Sequence, residues 1–221
     1  MLPIHPFRLV AIAAVLPACA FANLLSNADA SKWKPGSAPA KPWQHSGRED
    51  GITVKVVRLA GSSWIELHDQ SDKVSANLRQ EIPAMQAGRL TLKVMTHTEN
   101  TGDFGIYLGS GNASSSTERV VDVKTNKRGM LRLGSGGERI DTGLILTPGV
   151  PEHIFIEFRP VGSGVHLKLG RIDANGKDEV LGENTFAKPA QPVTRLRITS
   201  DNAPTGARWL VKDLALTPLQ K

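Results

Sequence analysis

Apolar residues recur at every second position in five separate stretches of this chain, and that periodicity is the strongest constraint on its fold. Between residues 89 and 96, Leu90, Leu92 and Val94 alternate with Thr91, Lys93 and Met95. Phe104, Ile106 and Leu108 alternate with Gly105, Tyr107 and Gly109, and Ile154, Ile156 and Phe158 with His153, Phe155 and Glu157. Val165, Leu167 and Leu169 alternate with His166 and Lys168, and Leu196 and Ile198 with Arg195 and Arg197. Successive side chains of a strand point to opposite faces, so period two marks strands with one buried and one solvated face.

Turn chemistry separates these runs. Asn175-Gly176 lies between Leu167–Ile172 and Val180–Leu181, a hairpin signal because both residues tolerate positive φ. Gly134 to Gly137, Thr147-Pro148-Gly149 and Pro160 to Gly164 mark further reversals. About a dozen strands at spacings of roughly 8–12 residues suit a sandwich or barrel rather than βαβ units. The one mildly helical stretch, Ser71–Leu78, gives way to a better strand over Ser75–Ile82. With 40% hydrophobic residues the chain can bury a core, which excludes intrinsic disorder. A single sandwich of about 170–190 residues is expected, within the size of one domain. The expected organisation is a leader over 1–22, an N-terminal strand and Pro-rich loop over 23–50, and the sandwich over 51–221.

Residues 1–22 read as an export signal. Arg8 precedes the apolar run Leu9–Leu16, and Ala20-Phe21-Ala22 is a small-x-small cleavage pattern. The run is too short for a bilayer, which needs roughly 20 apolar residues, and no transmembrane segment is expected elsewhere. Cleavage after Ala22 removes the single Cys, Cys19, which suits an oxidising compartment. Leu16-Pro17-Ala18-Cys19 is also similar to a bacterial lipobox, so anchoring at Cys19 is the alternative. The expected location is secreted or periplasmic.

Several segments together carry a family resemblance. Gly143 to Gly149, then His153–Phe158 and Val165–Leu169, resemble the middle of concanavalin A-like (laminin-G-like) sandwich domains. Arg195–Ser200 and Trp209–Leu216 resemble their end. The opening (Asn23–Asn27, Trp33, Ser75–Ile82, Ala87–Leu92) resembles jelly-roll carbohydrate-binding modules with a galactose-binding-like fold. The resemblance implies an all-β, two-sheet antiparallel jelly-roll β-sandwich of concanavalin A-like form. Such domains often carry acidic residues near a structural calcium on the last strand. Here those positions are Lys212 and Asp213, and a Lys ammonium offers no oxygen ligand. Asp173 to Asp178 has acidic residues at calcium-like intervals but Lys177 among them, and reads as a hairpin turn. No cofactor is expected, and structural calcium is unsupported.

The resemblance extends to glycosidases and polysaccharide lyases, so a catalytic set must be sought. A retaining glycosidase needs two carboxyl groups about 5–5.5 Å apart. No Glu-x-Asp-x-Glu run of the family 16 hydrolase type occurs, and Glu138 and Asp141 fall on opposite faces of one strand. His153 and Glu157 share a face but stand about 13 Å apart along a strand. Arg79-Gln80-Glu81 is similar to the Arg-rich strand of alginate lyases, without the Gln-x-His pair. No nucleophile elbow, phosphate-binding Gly loop or His-rich metal motif is present. No catalytic residue is assigned.

A binding role follows. Sugar sites cover the apolar face of a pyranose with an aromatic ring and fix its hydroxyls with polar groups. Trp209 is expected in the core, Trp33 and Trp43 as pins for the Pro-rich segment, and Trp64 on a face shared with Glu66. If the buried faces are as assigned, Lys93, His97, Tyr107, Arg132, His166 and Lys168 point outward; with Trp64 they are the candidate ligand residues. On one sheet they would form a basic groove with an aromatic platform, suited to an acidic polysaccharide or oligosaccharide because Arg pairs bidentately with carboxylate or sulfate. The formal charge of +6 is scattered and matches no nucleic-acid reader, so no nucleic-acid partner is expected. The sequence reading is an exported, non-catalytic carbohydrate-binding sandwich. Two alternatives stay open: a polysaccharide-degrading enzyme of the same fold, and a cell-surface structural or adhesion domain.

Overall fold

A computed structural model describes residues 22–46, 51–100, 102–126, 128–187, 191–200 and 206–219. Residues 1–21 of the expected leader, including Cys19, lie outside the described residues. Among these residues, fourteen strands build two seven-stranded antiparallel sheets. Sheet A runs β1 (Gln44–His45), β4 (Asn77–Met85), β13 (Val193–Thr199), β6 (Gly105–Gly109), β7 (Arg119–Thr125), β8 (Met130–Ser135) and β9 (Glu138–Ile145). Sheet B runs β12 (Asp178–Phe186), β11 (Gly164–Ile172), β10 (Glu152–Val161), β5 (Gly88–Thr96), β14 (Ala207–Pro218), β3 (Ser62–Asp69) and β2 (Ile52–Leu59). The late strands β13 and β14 insert between β4 and β6 and between β3 and β5, so each sheet is closed by long-range pairing.

The alternating apolar sets turn inward as their period requires. Leu90, Leu92 and Val94 of β5 meet Ile106, Leu108, Val123, Leu196 and Ile198 of the opposite sheet in one buried cluster. Phe104 and Trp209 stack across the sheets with ring centroids 4.8 Å apart, an aromatic contact worth about 0.5–1.5 kcal/mol beyond its burial. In β14 the apolar phase slips: Trp209 and Val211 are buried, and then Leu214 and Leu216. A bulge between Lys212 and Ala215, with Asp213 at φ 54, absorbs the extra residue and returns Leu214 to the core.

The N-terminal segment joins the two sheets. Asn23 donates to Leu214 O and accepts from Leu216 N, holding sheet B. Gln80 of β4 faces inward, where its amide accepts from Ser26 N and donates to Ser26 O, both at 2.8 Å. Residues 23–27 form no strand; the segment has a 3-10 turn at Ala30–Lys32 and then the short β1. Trp33 and Trp43 are buried in the main core, and Trp43 Nε1 donates to Asn27 O. Gly36 and Ser37 bond to Val56, so the Pro-rich stretch covers part of the β2 edge.

Candidate functional site

The outward residues of sheet A fall into rows across its strands. One row passes from Gln44 through Arg79, Arg197, Tyr107, Asp122 and Gly134 to Arg139. A second contains Asn77, Thr199, Gly105, Lys124, Arg132 and Asp141. A third contains Glu81, Arg195, Gly109 and Arg119. Neighbouring strands lie about 4.8 Å apart, so these side chains share one surface. Among the described residues it carries seven cations, Arg79, Arg119, Lys124, Arg132, Arg139, Arg195 and Arg197, against the carboxylates of Glu81, Asp122 and Asp141.

Half of this face is a packed polar layer. Tyr107 is completely buried although it points away from the core, because the Arg119 guanidinium lies over its ring at 3.6 Å. Its ring runs back over Gly105, where an added Cβ would come within 2.4 Å of the phenol oxygen. Asp122, also fully buried, accepts from Arg139 Nε at 3.1 Å and Nη2 at 2.5 Å and from Arg119 Nη1 at 3.4 Å. Arg119 further donates to Ala113 O and Ser114 O, fixing the loop between β6 and β7. Glu118 completes that loop. The amides of Ser114 and Ser115 and the Ser114 hydroxyl hold its carboxyl well below the usual range, at about 2.

The other half is open. Beside β1, β4 and β13 lies a cleft of about 370 Å³ whose lining includes His45, Val74, Asn77, Arg79 and Arg197. Arg79 donates through Nε to the neutral Gln44 Oε1. Arg195 holds Asn112 and Glu81 through its two Nη atoms.

The outer face of sheet B is chemically different, for nearly every cation on it has a carboxylate. Arg89 binds Glu157 and Asp178 at 2.6 and 2.7 Å and lies over Phe155 at 4.2 Å. Lys93 reaches Asp213 at 3.0 Å, and Lys55 and Arg208 share the buried Glu66. Burial, followed by the charge of Lys93, lowers the pKa of His153.

The expected ligand residues are divided between these two faces. Tyr107 and Arg132 belong to sheet A; Lys93, His166, Lys168 and Trp64 belong to sheet B, and His97 directly follows β5. His166 and Lys168 both approach Glu183, at 3.7 Å each. Arg132 pairs with Asp141 at 2.9 Å. Trp64 is 3% exposed beneath Lys212, so neither it nor Tyr107 presents an open ring. Of the positions weighed for calcium, Asp173 caps its own turn through Asn175 N and Lys177 N, while Asp178 and Asp213 serve the ion pairs above. The cations of the open half, Arg79, Arg195, Arg197 and Lys124, were absent from the expected set. The Arg195–Arg197 alternation put both side chains outward, but nothing local placed β13 beside β4.

Carboxylate spacing on sheet A does not match a glycosidase pair. Glu81 and Asp122 are three strands apart, about 14 Å. On sheet B, Glu157 Oε1 and Asp178 Oδ2 both accept from Arg89 Nη1, at 2.6 and 2.8 Å. The two carboxylates thus lie within the separation of about 5–5.5 Å that retaining enzymes use, but a guanidinium stands between them.

No family model matches the sequence, and no curated protein matches it. Solved structures do match. A sialidase superposes with a TM-score of 0.62 at 14% identity, over 80% of this chain and 17% of that one, so this chain spans about a sixth of the sialidase. An endo-1,3-beta-glucanase from Streptomyces sioyaensis gives 0.55 at 11% identity, over 95% of this chain and 100% of that chain. Carbohydrate binding module CBM66 from Bacillus subtilis gives 0.50 at 8% identity, over 83% and 99%. At such identities the likeness concerns the backbone. Its two seven-stranded antiparallel sheets, with the likeness to a solved glucanase and a carbohydrate-binding module, give this chain the concanavalin A-like jelly-roll fold.

Proposed function

We propose that this protein binds carbohydrate without catalysis, on the outer face of sheet A, and that its ligand is an acidic polysaccharide. The observation that carries this reading is the unbalanced charge of that face, seven cations to three carboxylates among the described residues, opposite a face on which most cations have a carboxylate partner. A concentration of arginines on a sheet attracts polyanions over a Debye length and binds their carboxylates or sulfates through paired N–H donors. The carbohydrate-binding module among its structural neighbours supports the same reading. Export fits it as well. With processing after Ala22, the new first residue is Asn23, whose side chain is already bonded to β14.

Native affinity electrophoresis of the purified protein through gels of acidic and of neutral polysaccharides tests this. Retardation by acidic polymers that weakens with salt and leaves chain length unchanged is expected. Binding indifferent to salt up to about 0.5 M would refute the electrostatic account. The second reading is polysaccharide cleavage, and the Glu157–Asp178 pair on Arg89 is the observation that favours it. New reducing ends, lost on Glu157→Gln, would replace the binding reading with that one.

A further inference from the structure

Strand β10 outruns β5. Gly88, the first residue of β5, pairs with Phe158, and β10 continues through Arg159 and Pro160 to its hairpin with β11. The overhang leaves a notch of about 400 Å³ at this corner of sheet B, within the range of roughly 300–1,000 Å³ typical of small-molecule sites. Pro160 has no N–H to offer an added strand, so the notch does not suit a peptide paired along this edge. One wall is apolar: Ala87, Pro160 and Leu219 line it, and Leu219 N donates to Ala87 O at 3.4 Å.

The other wall carries N–H donors without an anionic hydrogen-bond partner. Arg159 and His166 stand opposite each other in register on the outer face, and Lys168 lies two residues further along β11, opposite Glu157. Among the described residues Arg159 is exposed and makes no hydrogen bond or ion pair. Lys168 Nζ is 3.7 Å from Glu183 and 4.0 Å from Glu157, and His166 Nε2 is 3.7 Å from Glu183, all beyond hydrogen-bond distance. His166 Nδ1 is engaged by Thr185 Oγ1 at 3.1 Å, so Nε2 is the nitrogen left for a ligand. Glu157, whose carboxylate also lines the notch, is drawn to Arg89 at 2.6 Å.

We propose that this notch binds a sulfate or phosphate monoester of a small apolar group. A monoester has three terminal oxygens, one for each of Arg159, His166 and Lys168, whereas a carboxylate has two. Charge-assisted hydrogen bonds of this kind are about twice as strong as neutral ones, and the three donors give up no hydrogen bond to a carboxylate in making them. The apolar part of the ligand lies on Ala87, Pro160 and Leu219. The notch belongs to the sheet opposite the arginine-rich face, so it stands or falls independently of the carbohydrate reading.

Isothermal calorimetry at pH 7 uses phenyl sulfate and phenyl phosphate as probes, beside benzoate, phenol, and inorganic sulfate and phosphate. Wild type is compared with Arg159→Gln, Lys168→Gln, Leu219→Ser and Arg58→Gln. Arg58 is exposed on β2, four strands and about 19 Å from β10. Thermal melts check that each variant is folded; Arg159, with no partner to lose, carries the test if Lys168→Gln is not. At least one phenyl ester should bind with a Kd of about 1 mM or tighter, and at least tenfold more tightly than benzoate or phenol. The tighter of the two tells sulfate from phosphate. Arg159→Gln and Lys168→Gln should each weaken it at least tenfold, and Arg58→Gln less than twofold. Leu219→Ser should weaken the ester at least threefold but the matching inorganic ion less than twofold. Benzoate as tight as the esters would overturn the three-oxygen recognition, and inorganic ions as tight as their esters would overturn the apolar wall. Ester binding unchanged in Arg159→Gln would put the anion elsewhere and overturn the site, as would binding of neither ester.

Discussion

Replacing Asp122 by Asn tests whether the closed half of the sheet A face is held by charge. The carboxylate is completely buried and takes three contacts from two arginines, at 2.5, 3.1 and 3.4 Å. Asn keeps the volume but removes the charge and aims an N–H₂ group at one guanidinium, leaving two cations facing each other. Breaking one side of a buried ion pair typically costs about 3–5 kcal/mol. The Arg119 and Arg139 side chains are 12% and 22% exposed, so water screens part of the loss and about 2–4 kcal/mol is expected. For a chain of this length that corresponds to a melting temperature lower by about 5–15 °C. Urea unfolding at pH 7 measures it directly. Adding Arg139→Met should then cost less than Arg139→Met alone, because the buried carboxylate that this substitution would deprive of its main donor is already gone. A loss below about 1 kcal/mol, or strictly additive effects, would refute the charge argument.

Other consequences are equally specific. Gln80→Ala strips both hydrogen bonds from Ser26 and leaves a buried gap, so unfolding should become easier by about 2–3 kcal/mol in urea titration. Gly109→Ala would set a Cβ 2.0 Å from Glu118 O; melts should show a loss of about 1–3 kcal/mol from this backbone overlap. The folded Glu118 carboxyl, at about 2, lies below its ordinary 4.5, so the loop stabilisation it gives is complete above pH 4.5 and disappears as pH falls toward 2. Amide protection at Ser114 and Ser115, after correction for the intrinsic pH dependence of exchange, should fall over that interval in the wild type and be low and pH-insensitive in Glu118→Gln. Burial lowers the pKa of His153 from its ordinary 6.5. The unfolded chain therefore binds a proton first, and stability should fall as pH drops below 6.5. Urea midpoints at pH 7.5 and 5.5 should differ less in His153→Gln than in wild type.

Sequence by itself determined the strands and their buried faces. Alternation is a local property: once Leu90, Leu92 and Val94 turn inward, Thr91 and Lys93 must turn outward. The slip at Leu214 is equally local, because Leu214 follows Val211 by three positions where alternation needs an even number. Gln80 shows the opposite case: a polar residue in an alternating strand is buried because the partner that permits it, Ser26, comes from a distant segment. Only the tertiary structure decided which outward faces share a sheet. Tyr107 and Lys93 both point away from the core, but they belong to different sheets, since β14 joins β5 and β13 joins β6. Arg79 and Arg197 are remote in the chain and opposite in space, and Arg119 closes over a tyrosine that alternation alone left exposed. Side-chain direction follows from the neighbouring peptide, whereas strand order follows from long-range pairing that no single run of residues specifies.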